Sequence, residues 1–182
     1  MRRPLPAALV TSLVLLSVGC SDAGSDPAAP SATATPSLDR AGTTPLSGVC
    51  RTTFQLTNLV FQAPPNDKDL ASADYEDTGL CQLSHLGSGT LHNSGSIDFT
   101  VRPAIGRGSF TLTAANGDRL EGTEEIDYFE PDAAGLFGFT GIRVVNGGTG
   151  RFADAHGSLA VSGSGSNVAG TTDQSHSGRL SF

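Results

Sequence analysis

One carboxylate in this chain sits where chemistry could be done. In Arg119–Phe129, "RLEGTEEIDYF", every second residue gives Leu120, Gly122, Glu124, Ile126 and Tyr128. The other set, Arg119, Glu121, Thr123, Glu125 and Asp127, suits solvent. Side chains alternate between the two faces of a strand, so the first set places Glu124 among apolar neighbours with a phenol close by. Burial disfavours the charged form and raises a carboxyl pKa, which suits a general acid, a general base or a ligand anchor. The alternative is a bulge at Glu124-Glu125 that turns both acids outward. His85 shares its alternation with Cys81 and Leu83 and is a second candidate for a pocket wall. Its alternative is a histidine that hydrogen-bonds a neighbouring turn. Glu124 with Tyr128 or His85 is therefore the catalytic constellation to consider. His92, His156 and His176 fall in or near turn-like stretches and read as solvated.

Other chemistries fit poorly. No two histidines stand at i, i+2 or i, i+4, and Cys50 and Cys81 lack the C-x-x-C spacing that gathers thiolates around zinc, so neither metal nor cofactor is expected. There is no G-x-S-x-G elbow. Asn66–Asp69 and Asp74–Asp77 are acidic, but an EF-hand loop counted from Asp67 needs Gly and Glu where Ser72 and Thr78 stand. The segment reads as a solvated acidic loop, with a looser calcium site as the alternative. Gly148-Thr149-Gly150-Arg151-Phe152-Ala153 matches the G-x-G-x-x-A spacing of a dinucleotide turn. Such a turn opens a helix and is followed by an acid about twenty residues on. Here only Asp154-Ala155-His156 separate Ala153 from Gly157 and a new alternation, so the stretch reads as a tight connection. Phe152 is expected to pack under the end of the fold and Arg151 to lie outside.

The N-terminus reads as targeting sequence. Arg2 and Arg3 precede an apolar run through Leu16, which is too short to span a bilayer as a mature helix. Ser17-Val18-Gly19-Cys20 resembles the lipobox of bacterial lipoproteins, with Ser17 at a position usually held by Leu. The resemblance implies lipid attachment, palmitate included, at Cys20, a signal peptide over 1–19 and a membrane anchor. Ordinary signal cleavage and full secretion is the alternative. With Cys20 lipidated, Cys50 and Cys81 remain as a pair, and export favours a disulfide between them over two buried thiols. Closing that loop would contribute about 3–4 kcal/mol on the chain-entropy model. Residues 20–47, rich in Ser, Ala, Pro and Thr, have too few apolar side chains to offset their ordering entropy and read as a disordered tether.

Residues 48–182 are enough for one domain with a real core. A net charge of −7, more negative once Arg2 and Arg3 are removed, argues against nucleic acid and against adsorption to anionic lipid without an anchor. No Trp and only two Tyr disfavour a sugar-stacking platform. Between recurrent glycine turns, alternation dominates: Ile97, Phe99 and Val101; Phe110, Leu112 and Ala114; Leu159 and Val161; Leu180 and Phe182. The strands expected are 50–62, 79–86, 89–93, 96–102, 108–115, 119–129, 135–146, 156–163 and 176–182. Asn116-Gly117-Asp118 and Asn93-Ser94-Gly95 serve as hairpin turns. Antiparallel strands with one apolar face close naturally into a barrel of about eight strands, with a two-sheet sandwich as the alternative.

Ser84-His85-Leu86-Gly87, Ala115-Asn116-Gly117-Asp118 and Gly147-Gly148-Thr149-Gly150-Arg151-Phe152, in that order, resemble a series in secreted bacterial proteins similar to the allene oxide cyclase and dirigent barrel-like group. The resemblance covers roughly Val49–Phe182 and implies an all-β, eight-stranded antiparallel barrel with calycin-like geometry. It implies no single activity. Three functions stay open: binding of a small apolar ligand inside or a partner protein at the rim, an isomerase or cyclase using Glu124, and a passive envelope protein with a filled barrel. A cavity of roughly 300 Å³ or more with convergent polar groups separates the first two from the third.

Overall fold

The computed structural model describes residues 42–65 and 68–182. The expected leader, Cys20 and most of the expected tether lie outside them. The described chain forms eight strands: β1 (Thr44–Phe61), β2 (Leu70–Leu83), β3 (Gly87–Asp98), β4 (Ala104–Ala114), β5 (Arg119–Tyr128), β6 (Leu136–Gly148), β7 (His156–Ser166) and β8 (Thr171–Ser181). Each pairs antiparallel with the next, and β8 pairs with β1 to close the barrel. Closure leaves no unpaired edge, which is why alternation with one apolar face suffices for stability.

The alternation holds, but some boundaries move. Asn93-Ser94-Gly95 is not a turn. β3 runs straight through it, with Asn93 opposite Asp77, Ser94 opposite Glu76 and Gly95 opposite Tyr75. The two segments expected at 89–93 and 96–102 are thus one strand. Asn93 stays in register because its amide bonds inside the barrel, as described below. The acidic stretch Asp74–Asp77 is also strand, not loop: Tyr75 and Asp77 face inward and Glu76 faces out. β1 begins at Thr44, so residues 44–47, expected in the disordered tether, are strand, with Leu46 buried inside. β8 begins at Thr171, earlier than expected, because its inward Thr172, Gln174 and His176 are polar and hid the alternation.

The glycine-rich stretch is a corner. Gly150–Phe152 makes a single 3-10 turn, and β7 starts at His156. Gly150 adopts φ 58°, and a Cβ there would strike the Asp118 carboxylate in the neighbouring turn. Thr149 Oγ1 accepts a hydrogen bond from the Arg119 amide at 3.0 Å, tying the two turns together. Phe152 is buried, while Arg151 lies outside with its guanidinium 4.6 Å from the Phe152 ring centroid.

Inside, three layers stack along the barrel axis. One end is filled by Leu46, Leu91, Leu112, Leu120, Leu159 and Leu180, with Phe110 and Phe152 among them. Each fully buried Leu contributes about 1.5–3 kcal/mol from apolar burial. The Cys50–Cys81 disulfide lies in this layer, joining directly opposed residues of β1 and β2. The middle layer is polar. The far end is lined by aromatic and aliphatic side chains in two smaller clusters around Ile97 and Phe139.

Candidate functional site

Glu124 faces inward, as its alternation predicts. No bulge reverses the pair: β4 and β5 stay in register, with Gly108 opposite Glu124 and Arg107 opposite Glu125. Glu125 points out and pairs with Arg107 at 2.8 Å. The Glu124 side chain is 1% exposed, and Arg143 directly across on β6 is 2% exposed. Arg143 Nε donates to Glu124 Oε2 at 2.7 Å, so the buried carboxylate has its counter-ion at hydrogen-bond distance. Without that partner the cost of burying the charge would be several kcal/mol.

The other Glu124 oxygen is reached from further away. Tyr75 on β2 donates its hydroxyl to Glu124 Oε1 at 2.6 Å. The register row runs Tyr75, Gly95, Gly108, Glu124 across four strands. The two intervening positions carry no side chain, so the phenol can lie along the inner wall and span them. A Cβ on Gly108 would stand 2.6 Å from the Tyr75 hydroxyl oxygen. Burial, reinforced by the Glu124 charge, pushes the Tyr75 phenol well above the ordinary tyrosine range. It therefore serves as a fixed donor.

Arg143 organises the rest of the belt. Its Nη1 lies 3.1 Å from His176 Nδ1, and its Nη2 donates to Gln174 Oε1 at 3.3 Å. Its guanidinium carbon sits 5.4 Å from the centroid of the Phe110 ring, so the belt rests on the packed end. Gln174 Nε2 donates to Asp77 Oδ2 at 2.8 Å and to Thr172 Oγ1 at 3.0 Å, and Asn93 Nδ2 donates to the same Asp77 oxygen at 3.2 Å. Thr52 and Thr172 share a hydrogen bond at 2.6 Å. Among the described residues two buried acceptors are left over: Asp77 Oδ1 and Asn93 Oδ1 have no hydrogen-bond partner there. Burial raises the Asp77 carboxyl above its ordinary range, opposed by the neighbouring Thr52 hydroxyl and Gln174 amide. Burial, with the Arg143 charge, lowers His176 to about 3, so this ring is neutral.

Above the belt lies a cavity of about 450 Å³. Phe54, Phe99, Tyr128, Phe137 and Phe139 line its walls, and Tyr75, Asp77, Asn93, Arg143 and Gln174 form its floor. The Tyr128, Phe137 and Phe139 rings stack with centroids 5.8–6.3 Å apart. Tyr128 is raised well above the usual phenol range by burial and by the Glu124 charge. A wider depression of about 810 Å³ on the outer wall gathers exposed strand residues such as Val49, Leu80 and Gln82 and is open to solvent. The chemistry lies with the cavity inside the barrel, which is floored by buried polar groups.

Of the residues singled out from sequence, Glu124 and Tyr128 come into this region, though Glu124 is bonded to Tyr75 and Arg143. His85 does not join them. It sits exposed in the β2–β3 turn with φ 63°. His176, read as solvated, is buried at 2% exposure. Stepping back from inward Leu180 by twos gives Gly178, His176, Gln174 and Thr172, so its alternation carried the signal that its polar neighbours masked. Arg143 had a signal too. It shares alternation with Phe137, Phe139 and Val145, while Ile142 and Val144 are exposed on the outer wall. Searches of family models, curated proteins and solved structures find no match to this chain, so the reading of the site rests on its own geometry.

Proposed function

We propose that the barrel is a binding protein that takes a small apolar or amphipathic ligand through its open end. The cavity itself carries this reading: about 450 Å³ of space with aromatic walls and a polar floor, large enough for a small organic molecule. The mouth supports it as well. The connections at that end expose Phe61, Val101, Phe129, Leu136 and Val168, an apolar rim suited to guiding an apolar molecule inward. The lipobox-like resemblance at Cys20 supports a domain held outside the cytoplasm on a lipid anchor, and the resemblance to the allene oxide cyclase and dirigent barrel-like group is consistent with an interior site.

The isomerase or cyclase reading asks Glu124 to exchange protons with a substrate. Both of its oxygens are engaged, by Tyr75 and Arg143, and it does not line the cavity. A passive filled barrel fits only the leucine-packed half. Val161 is buried and lines the cavity, so Val161→Phe adds volume where a ligand would lie. With pyrene as a neutral fluorescent probe, the full-length protein is expected to bind, and Val161→Phe to weaken binding at least about tenfold with the Cys50–Cys81 bridge intact. Absence of pyrene binding, or equal binding by the variant, overturns the reading. Mass spectrometry of protein from its native membrane tests the lipid on Cys20 and any co-purifying molecule.

A further inference from the structure

The floor of the cavity has a chemical bias that its walls do not explain. The belt holds two carboxylates, Glu124 and Asp77, against one cation, Arg143. Arg143 donates to Glu124, His176 and Gln174. Among the described residues no cation lies within ion-pair distance of Asp77. Asp77 and Asn93 are 6% and 2% exposed, and each ends in an acceptor with nothing to accept.

The Asn93 orientation is fixed by chemistry. Its Nδ2 donates to Asp77 Oδ2, and turning the amide over would set its oxygen against a carboxylate. The unpaired Oδ1 is therefore required by the bond on the other side. Leaving buried acceptors unsatisfied costs free energy, more so for a charged one. Both residues line the cavity floor, and a donor entering the cavity reaches their free oxygens, which are buried in the empty barrel, as the side chains shift toward it. The aromatic walls around that floor also favour a cation over a neutral donor.

Building on the binding function above, we propose that the cavity selects an amphiphile whose head is a primary ammonium, received by the free oxygens of Asp77 and Asn93, with its apolar tail between Phe54, Tyr128, Phe137 and Phe139. The ammonium offers three N–H donors and the positive charge that Asp77 lacks. A carboxylate head meets like charge and two acceptors. A hydroxyl satisfies one acceptor without neutralising the floor.

Displacement of pyrene from the full-length protein at neutral pH by decylamine, decanol, decanoate and decyltrimethylammonium tests this. All are used below their micellar concentrations. Decylamine is expected to displace at about tenfold to a hundredfold lower concentration than decanol, the range of a charge-assisted hydrogen bond, with decanoate weakest. Decyltrimethylammonium, which has charge but no donor, is expected to fall well short of decylamine. Asp77→Asn should erase the gap between amine and alcohol. Equal displacement by amine and alcohol, a preference for decanoate, or decyltrimethylammonium matching decylamine overturns the proposal while leaving the binding function standing. Failure of pyrene itself to bind removes both. The ligand series needs no variant, so a folding defect in Asp77→Asn does not shelter the proposal.

Discussion

The two ends of this barrel are built from the same strands and differ in almost everything else. At one end the turns are Ser84–Leu86, Ala115–Asp118 and the 3-10 corner at Gly150–Phe152, and they send Leu86 and Phe152 into the core. At the other end the connections after β1, β3, β5 and β7 leave apolar side chains outside and a cavity within. One end is plugged and its turns are polar. The other is open and its rim is apolar. A barrel needs only one packed half to hold its register, which frees the other half to carry space that costs stability. The packed core and the proposed binding cavity thus occupy opposite ends, divided by the Glu124–Arg143 belt.

Truncating an aromatic ring at each end should separate these roles. Phe110→Ala, in the packed end beneath Arg143, is expected to cost about 3–5 kcal/mol in chemical denaturation. Phe137→Ala, on the cavity wall and only half-buried, is expected to cost about 1–2 kcal/mol, because one face of its ring already lacks packing partners. Pyrene binding should weaken in Phe137→Ala and persist in Phe110→Ala. Equal stability losses, or binding lost only at Phe110, would break the division.

The same division explains what the sequence could tell. Its three loudest motifs all form turns at the packed end, where glycines and the Asn-Gly pair leave a strong local mark. Gly117, for example, takes φ 89° in the β4–β5 turn. Phe152 under the corner, Arg151 outside it and Glu124 inside follow from local rules and alternation. The belt was harder to see because its inward residues are polar: Thr52, Asp77, Asn93, Gln174 and His176 do not look like a core face. Asn93-Ser94-Gly95 mimics a turn in composition, yet Gly95 is there because a Cβ would strike the backbone at Arg107 and Gly108, and Asn93 so that Asp77 is bonded. Such reasons are long-range, and no window of sequence contains them. The cavity is less legible still, since it depends on what eight strands fail to fill.

The belt sharpens the comparison through pH. His176 titrates near 3 in the folded protein and near 6.5 when unfolded. Between those values the unfolded chain binds the proton and the native chain does not. Its contribution is therefore fully present above about pH 6.5 and is lost as pH falls toward 3, by a few kcal/mol in all. Denaturation of wild type and His176→Gln across this range checks it. The variant should lose less stability on acidification than wild type, because glutamine has no proton to gain. Identical profiles would mean that the ring is accessible to solvent or titrates normally.

Asp77 carries the opposite sign and gives the smallest expected effect. Its folded carboxyl titrates above the ordinary 3.8, so the native state holds the proton more tightly than the unfolded chain does. From 3.8 up through its raised folded value, stability falls as pH rises, so burial of this carboxyl counts against the native state more as the pH rises. Asp77→Asn removes the charge. Its amide oxygen can keep the bonds from Gln174 and Asn93, while its amide nitrogen stands where an unpaired acceptor was. The ligand-free variant is expected to be more stable than wild type by on the order of 1 kcal/mol at neutral pH, the advantage shrinking as acidification protonates the wild-type carboxyl. A residue that weakens the empty barrel is explicable as one kept for what fills it. If Asp77→Asn instead destabilises the protein at neutral pH, the carboxylate belongs to the structural belt, and the boundary between the two ends lies one layer nearer the mouth.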